Sequence, residues 1–134
     1  MIFDKKAGQI KYYLMTLHDL IQKYKLQTKI CYDIEHDDEA TSAINNKAVA
    51  TMYEIVEQVN KDFGGEGVDE FAKLLGITEN DTYLWAAAQI MEKMQPDEMI
   101  RAKALKIIRD KATGDDIDAL SFRYWLRDWE KKNA

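Results

Sequence analysis

The sequence predicts an all-α protein of about six helices, paired as antiparallel hairpins. Three observations carry that expectation. Apolar residues recur at steps of three and four along most of the chain, the spacing of one helix face. One proline and six glycines are too few turn signals for a sandwich or barrel of many short strands. The 134 residues, 46% hydrophobic and 32% charged, suffice for one core and exclude a disordered tail, a collagen-like rod and a disulfide-stapled miniprotein.

The first helix is expected from about Gly8 to Tyr32, with Ile10, Tyr13, Leu14, Leu17, Leu20, Ile21 and Tyr24 on one face. The acidic run Asp33-Ile34-Glu35-His36-Asp37-Asp38-Glu39 interrupts it, and Asp37 or Asp38 is a natural N-cap for the next helix. That second helix runs from about Glu39 to Asp62 and buries Ile44, Ala48, Met52, Ile55, Val56, Val59 and Phe63. Gly64-Gly65-Glu66-Gly67 ends it, because glycine takes the left-handed conformations of a helix C-terminus. Val68, Phe71, Ala72, Leu74 and Leu75 mark a short third helix stopped by Gly76.

Thr78 or Asp81 caps a fourth helix, Tyr83–Met94, which closes at Pro96. Asp97-Glu98 opens a fifth through Lys111-Ala112, with acids in its first turn and bases in its last, as the helix dipole favours. Gly114 closes it. Asp115 or Asp116 caps the last helix, which ends near Lys132. That helix carries two apolar stripes, Ile117, Leu120 and Tyr124 on one side and Phe122, Leu126 and Trp129 on another, with Trp125 between. It is either sandwiched between neighbours, the favoured expectation, or exposes an apolar face. The whole chain, 1–134, reads as a single domain: a long N-terminal hairpin over 1–63 and two shorter hairpins over 64–134. The pairs 66–94 and 97–132, about thirty residues each, hint at a repeat of solenoid length.

Charge is unevenly placed. Residues 1–32 sum to +4, residues 33–75 to −8 and residues 76–134 to −1, for −5 in all. So acidic a middle third repels phosphate backbones, and nucleic acid is not an expected partner. It favours a basic protein partner instead. The single cysteine, Cys31, allows no intramolecular disulfide. No apolar h-region follows the N-terminal lysines and no stretch approaches the ~18 apolar residues of a membrane span, so the expectation is a cytoplasmic protein that does not enter a membrane.

No catalytic, cofactor or metal motif emerges. Read as a calcium loop, the acidic run has Asp33, Glu35 and Asp37 at positions 1, 3 and 5. It then fails with Asp38 where glycine belongs and Ile44 where glutamate belongs. Cys31, His18 and His36 are one ligand short of a Cys/His zinc site, and nothing fixes a base against Cys31. The glycine cluster lacks the Lys-Ser/Thr of a phosphate loop. HExxH and GxSxG are absent from the sequence. The expectation is a non-enzyme without cofactor or metal.

Leu74-Leu75, Trp85-Ala86-Ala87-Ala88, Pro96-Asp97-Glu98, Ala104-Leu105 with Ile108, and Leu126-Arg127-Asp128-Trp129 occur in that order. This order resembles a group of small bacterial proteins known only as domains of unknown function, with helical hairpins of HEAT or armadillo type. The resemblance is best over residues 64–131 and implies a right-handed stack of hairpins. Tyr83-Leu84 stands where HEAT repeats often carry Val-Arg, so the Arg-to-Asp ladder between repeats is not expected. Proteins of this size and style occur among bacterial immunity proteins, which neutralise a toxin by binding it.

Two functions are expected. In one, the protein is an immunity protein that occludes the active site of a basic toxin domain with acids of the middle third, Asp33, Glu35, Asp37, Asp38 and Glu39. In the other, it is a small helical adaptor whose apolar contacts centre on Trp129 and Tyr124, since tryptophan and tyrosine are common binding hot spots. The alternative for Trp129 is core packing, and for the acidic run a solvated interhelical turn. The expected oligomeric state is monomer or weak dimer.

Overall fold

The computed structural model describes residues 15–34 and 39–133, and all regular structure among them is helical. Five α-helices succeed one another: α1 (Leu17–Asp33), α2 (Glu39–Ala72), α3 (Thr82–Lys93), α4 (Glu98–Ala112) and α5 (Ile117–Lys132). Short 3-10 turns at Lys73–Gly76 and Glu79–Asp81 link α2 to α3. The helix expected over 68–75 is the far arm of α2, set apart from the first arm by a kink at Gly64, whose φ of 54° and ψ of −136° are not helical.

Two of the three clustered glycines have a physical reason. Gly64 holds a positive φ that side chains disfavour. At Gly67 a Cβ would lie 2.7 Å from the Val59 carbonyl oxygen and 2.8 Å from the Phe63 Cβ, so only glycine lets the two arms approach. The cluster breaks the helix at Gly64, as the sequence suggests, and the chain turns helical again directly beyond it.

The described part of α1 starts later than expected. Thr16 accepts a hydrogen bond from the Asp19 amide at 3.1 Å, and Asp19 accepts one back from the Thr16 amide, a reciprocal cap that sets the first turn at Leu17. Ile10, Tyr13, Leu14 and the expected caps Asp37 and Asp38 lie outside the described residues. Asp97 and Asp116 cap α4 and α5, accepting from the amides of Ile100 at 2.9 Å and Ala119 at 2.7 Å. The start of α3 departs from expectation. Asp81 occupies the N-cap position, but its side chain makes no capping hydrogen bond, and Asn80 and Asp81 both take left-handed φ values of 57°.

Each helix packs mainly on its neighbours in sequence: α1 on α2, α2 on α3, α3 on α4 and α4 on α5. Leu20, Tyr24, Met52, Ile55, Phe71, Ile90 and Ile108 form the heart of the core, with the Tyr24 ring edge-on to Phe71 at 4.8 Å. Ile44, expected inside, is 51% exposed, because the buried side chains of α2 begin only at Ala48.

Two buried polar pairs fasten α1 to α3. The Tyr24 hydroxyl donates to Gln89 Oε1 at 2.8 Å, and the Thr28 and Thr82 hydroxyls share a hydrogen bond at 2.8 Å. Glu92 of α3 performs the same task at the surface. It accepts from the Tyr53 hydroxyl of α2 at 2.8 Å and from the Trp125 indole of α5 at 2.9 Å.

Candidate functional site

The last helix resolves the choice between sandwiched and exposed. It packs chiefly on α4, burying Ala119 and half-burying Phe122, Trp125, Leu126 and Trp129. Its other stripe is exposed: Ile117 81%, Leu120 43% and Tyr124 54%. The favoured expectation of a sandwiched helix is therefore corrected, because α4 offers one face and α5 carries two stripes.

Around the stripe the chemistry changes from end to end. Asp115, Asp116 and Asp118 surround the first turn of α5, and Arg127, Lys131 and Lys132 lie towards its end, with Asp128 and Glu130 among them. Asp116 also accepts from Lys111 Nζ at 3.1 Å. Its carboxyl is held below the usual range, first by the Ala119 amide and then by Lys111. The Arg127 guanidinium sits 5.4 Å from the centre of the Tyr124 ring, a cation–π contact that holds the ring at the surface.

Trp129 is a structural residue in part. It stacks parallel to Trp125 at 6.3 Å, and the Arg101 guanidinium of α4 lies 5.3 Å from its ring centre. Half-buried, it joins α5 to α4 while its edge borders solvent. Tyr124, not Trp129, belongs to the exposed stripe.

The acidic candidates are only partly gathered. Asp33 ends α1, exposed and paired with Lys29 at 2.5 Å; Glu39 is exposed in the first turn of α2. Glu35, Asp37 and Asp38 lie outside the described residues. Further acids of the middle third, Glu54, Glu57, Asp62, Glu66 and Asp69, line α2, all of them exposed.

Elsewhere the surface offers less chemistry. An open groove of about 400 Å³ runs between α1 and the far arm of α2, with Leu17, Ile21 and Leu74 in its lining and His18, Lys25 and Glu70 among its polar groups. It presents no buried polar group to orient a ligand. Cys31 is buried, which pushes its thiol pKa up and so lowers its thiolate fraction. No three His, Cys, Asp or Glu side chains gather as a metal cluster among the described residues. No described helix is long and apolar enough to cross a membrane.

Sequence reasoning singles out Tyr124 and recognises both stripes, but it does not place Ile117 and Leu120 in a site. The available signal is the excess of apolar faces on one terminal helix. The Glu92 bridge leaves no such signal, since its partners lie 39 and 33 residues away. Compared against known protein families, curated proteins and solved structures, the chain matches none.

Proposed function

We propose that this protein is a non-catalytic protein-binding module, an adaptor that docks its partner on the exposed apolar face of α5. The observation that supports the reading is the stripe Ile117, Leu120 and Tyr124, apolar and exposed on a folded helix. An exposed apolar patch rimmed by charges is the usual form of a protein contact site. The packing of each helix on its predecessor is the support for a HEAT-like stack of hairpins, the arrangement that the resemblance to the bacterial domains of unknown function implies. A cytoplasmic setting is part of the same reading.

A second reading keeps the antidote function, in which the protein neutralises a basic toxin domain. Its support is the number of exposed acids along α2, from Glu39 in its first turn onward, with Asp33 at the end of α1.

One experiment separates the two. Tagged protein is used to capture partners, and the affinity of the purified complex is then measured by calorimetry at low and high salt. The adaptor reading expects binding that resists salt and weakens at least about tenfold on Tyr124→Glu. The antidote reading expects binding that fades with salt and with Asp33→Lys plus Glu39→Lys, and that ignores Tyr124→Glu. Tyr124→Glu leaving a salt-resistant complex untouched overturns the adaptor reading.

A further inference from the structure

We infer that Gly64 is the hinge of a segment exchange between two copies of this chain, and that the glycine cluster keeps the chain folded on itself. α2 spans 34 residues, and within it only Gly64 has non-helical backbone angles. No proline lies in 39–72. A change at this one residue, from φ 54° and ψ −136° to ordinary helical values, turns α2 into a straight helix about 51 Å long.

Straightening separates two bodies. One is α1 with the first arm of α2; the other is the far arm of α2 with α3, α4 and α5. The bonds between them all cross the hinge: Tyr24 to Gln89 and Thr28 to Thr82 inside, the Tyr24 ring on Phe71, and Tyr53 to Glu92 at the surface. A straight α2 carries each body away from its own partner and exposes these side chains. A second copy with a straight α2 presents the same surfaces. Two copies that exchange their far bodies re-form each of these contacts between chains, and no new complementary surface is needed. The fold itself thus names the partner, since the same sequence supplies the Gln89 and Phe71 that Tyr24 meets.

Two glycines hold the balance on the side of the monomer. Gly64 occupies a region of backbone space nearly closed to other residues, so the kink needs glycine there and the straight helix does not. At Gly67 a Cβ meets the Val59 carbonyl oxygen at 2.7 Å, a clash that exists only while the arms are folded together. In a straight helix the two residues stand about 12 Å apart along the axis, and alanine is the better helix former. Gly65 has an ordinary φ and open space around it, so alanine there suits both forms.

The test is sedimentation equilibrium of the full chain and of Gly64→Ala, Gly65→Ala and Gly67→Ala. Each is refolded from urea at low and at high protein concentration, so that exchange has an open state to pass through, and circular dichroism verifies folding. A penalty on the kink counts twice in the dimer, once per chain. Gly64→Ala and Gly67→Ala are therefore expected to dimerise with a dissociation constant about a hundredfold or more below the parent's, and Gly65→Ala to stay within about threefold of it. A cross-link identifies exchange. Glu57 of the first arm and Lys93 of α3 are exposed and 3.8 Å apart across the boundary between the bodies. In a Cys31→Ala background, Glu57→Cys and Lys93→Cys joined by a short bismaleimide link within one chain in the monomer and between two chains in the Gly64→Ala dimer.

A Gly64→Ala chain that is monomeric at every concentration overturns the inference. So does one that fails to fold, because the exchanged form accommodates alanine there. A dimer linked only within chains overturns it too, as does a Gly65→Ala that dimerises as strongly as Gly64→Ala, or a dimer that Tyr124→Glu dissolves. Where Gly64→Ala and Gly67→Ala differ, Gly64→Ala decides.

Discussion

Replacing Tyr24 by phenylalanine removes one oxygen atom from the centre of the molecule, and the structure gives the size of the effect. Tyr24 is fully buried and Gln89 is 1% exposed, so no solvent can replace the lost donor. The Gln89 Nε2 already lacks a hydrogen-bond partner in the described structure, and its Oε1 is held by the Tyr24 hydroxyl. In Tyr24→Phe the whole buried amide is unpaired, while the ring keeps its edge contact with Phe71. An unsatisfied buried polar group costs about 1–3 kcal/mol, which for a domain of this size lowers Tm by about 4–12 °C.

Urea unfolding followed by circular dichroism gives the free energy, and a melt gives Tm. Gln89→Met, which removes the amide at similar volume, completes a double-mutant cycle. The double variant Tyr24→Phe/Gln89→Met has no buried polar group left to satisfy at this point, so it is expected to be more stable than the two single losses add up to. Tyr24→Phe within about 0.5 kcal/mol of the parent, or a strictly additive double variant, refutes the reasoning.

Other expectations rest on the same structure. Glu92→Ala withdraws the acceptor shared by Tyr53 and Trp125 and is expected to cost about 1–2 kcal/mol, with Glu92→Gln recovering part of it, in the same urea assay. Gly67→Ala meets backbone at 2.7 Å and is expected to destabilise by about 1–3 kcal/mol, whereas Gly65→Ala faces open space at an ordinary φ and is neutral or slightly stabilising. Burial, and then the bond to Glu92, push the Tyr53 pKa from 10.0 up to about 12. The native state therefore keeps a proton that the unfolded chain has lost. This contribution to stability is whole below pH 10 and disappears as pH rises through about 12. A pH series of unfolding free energies in which Tyr53→Phe declines as steeply as the parent across that window refutes the assignment.

How much of this is legible in the sequence depends on which physics fixes each element. Asp97 and Asp116 are readable as caps because capping is local, one side chain meeting an amide three residues on. The break at Gly64 is readable from the glycine cluster and the far arm of α2 from its apolar residues. How closely the two arms approach is not, because it depends on what Gly67 packs against, and that is Val59, eight residues back. The Thr16 cap is hidden because the apolar period runs on through it. Ile44 shows that a stripe marks a face able to be buried, not the length of the neighbour that buries it.

The site is half legible for the same reason. Two stripes on α5 compete for one partner helix, and periodicity does not choose between them; the packing surface of α4 does. The Tyr24–Gln89 and Thr28–Thr82 pairs are invisible to any local rule, since 65 and 54 residues separate their members.

The attachment of α5 also bears on how the molecule opens. α1, α2 and α3 are joined by a shared core and two buried polar pairs, but α5 rests mainly on α4, with Trp125 to Glu92 as a surface tether. Its amides need only a local, sub-global opening to exchange with solvent, while those around Tyr24 and Ile55 require the whole domain to unfold. The last helix is thus expected to be the least protected cooperative unit among the described helices. A partner seated on it slows that opening without touching the core, so hydrogen exchange confined to 117–132 registers occupancy of the surface.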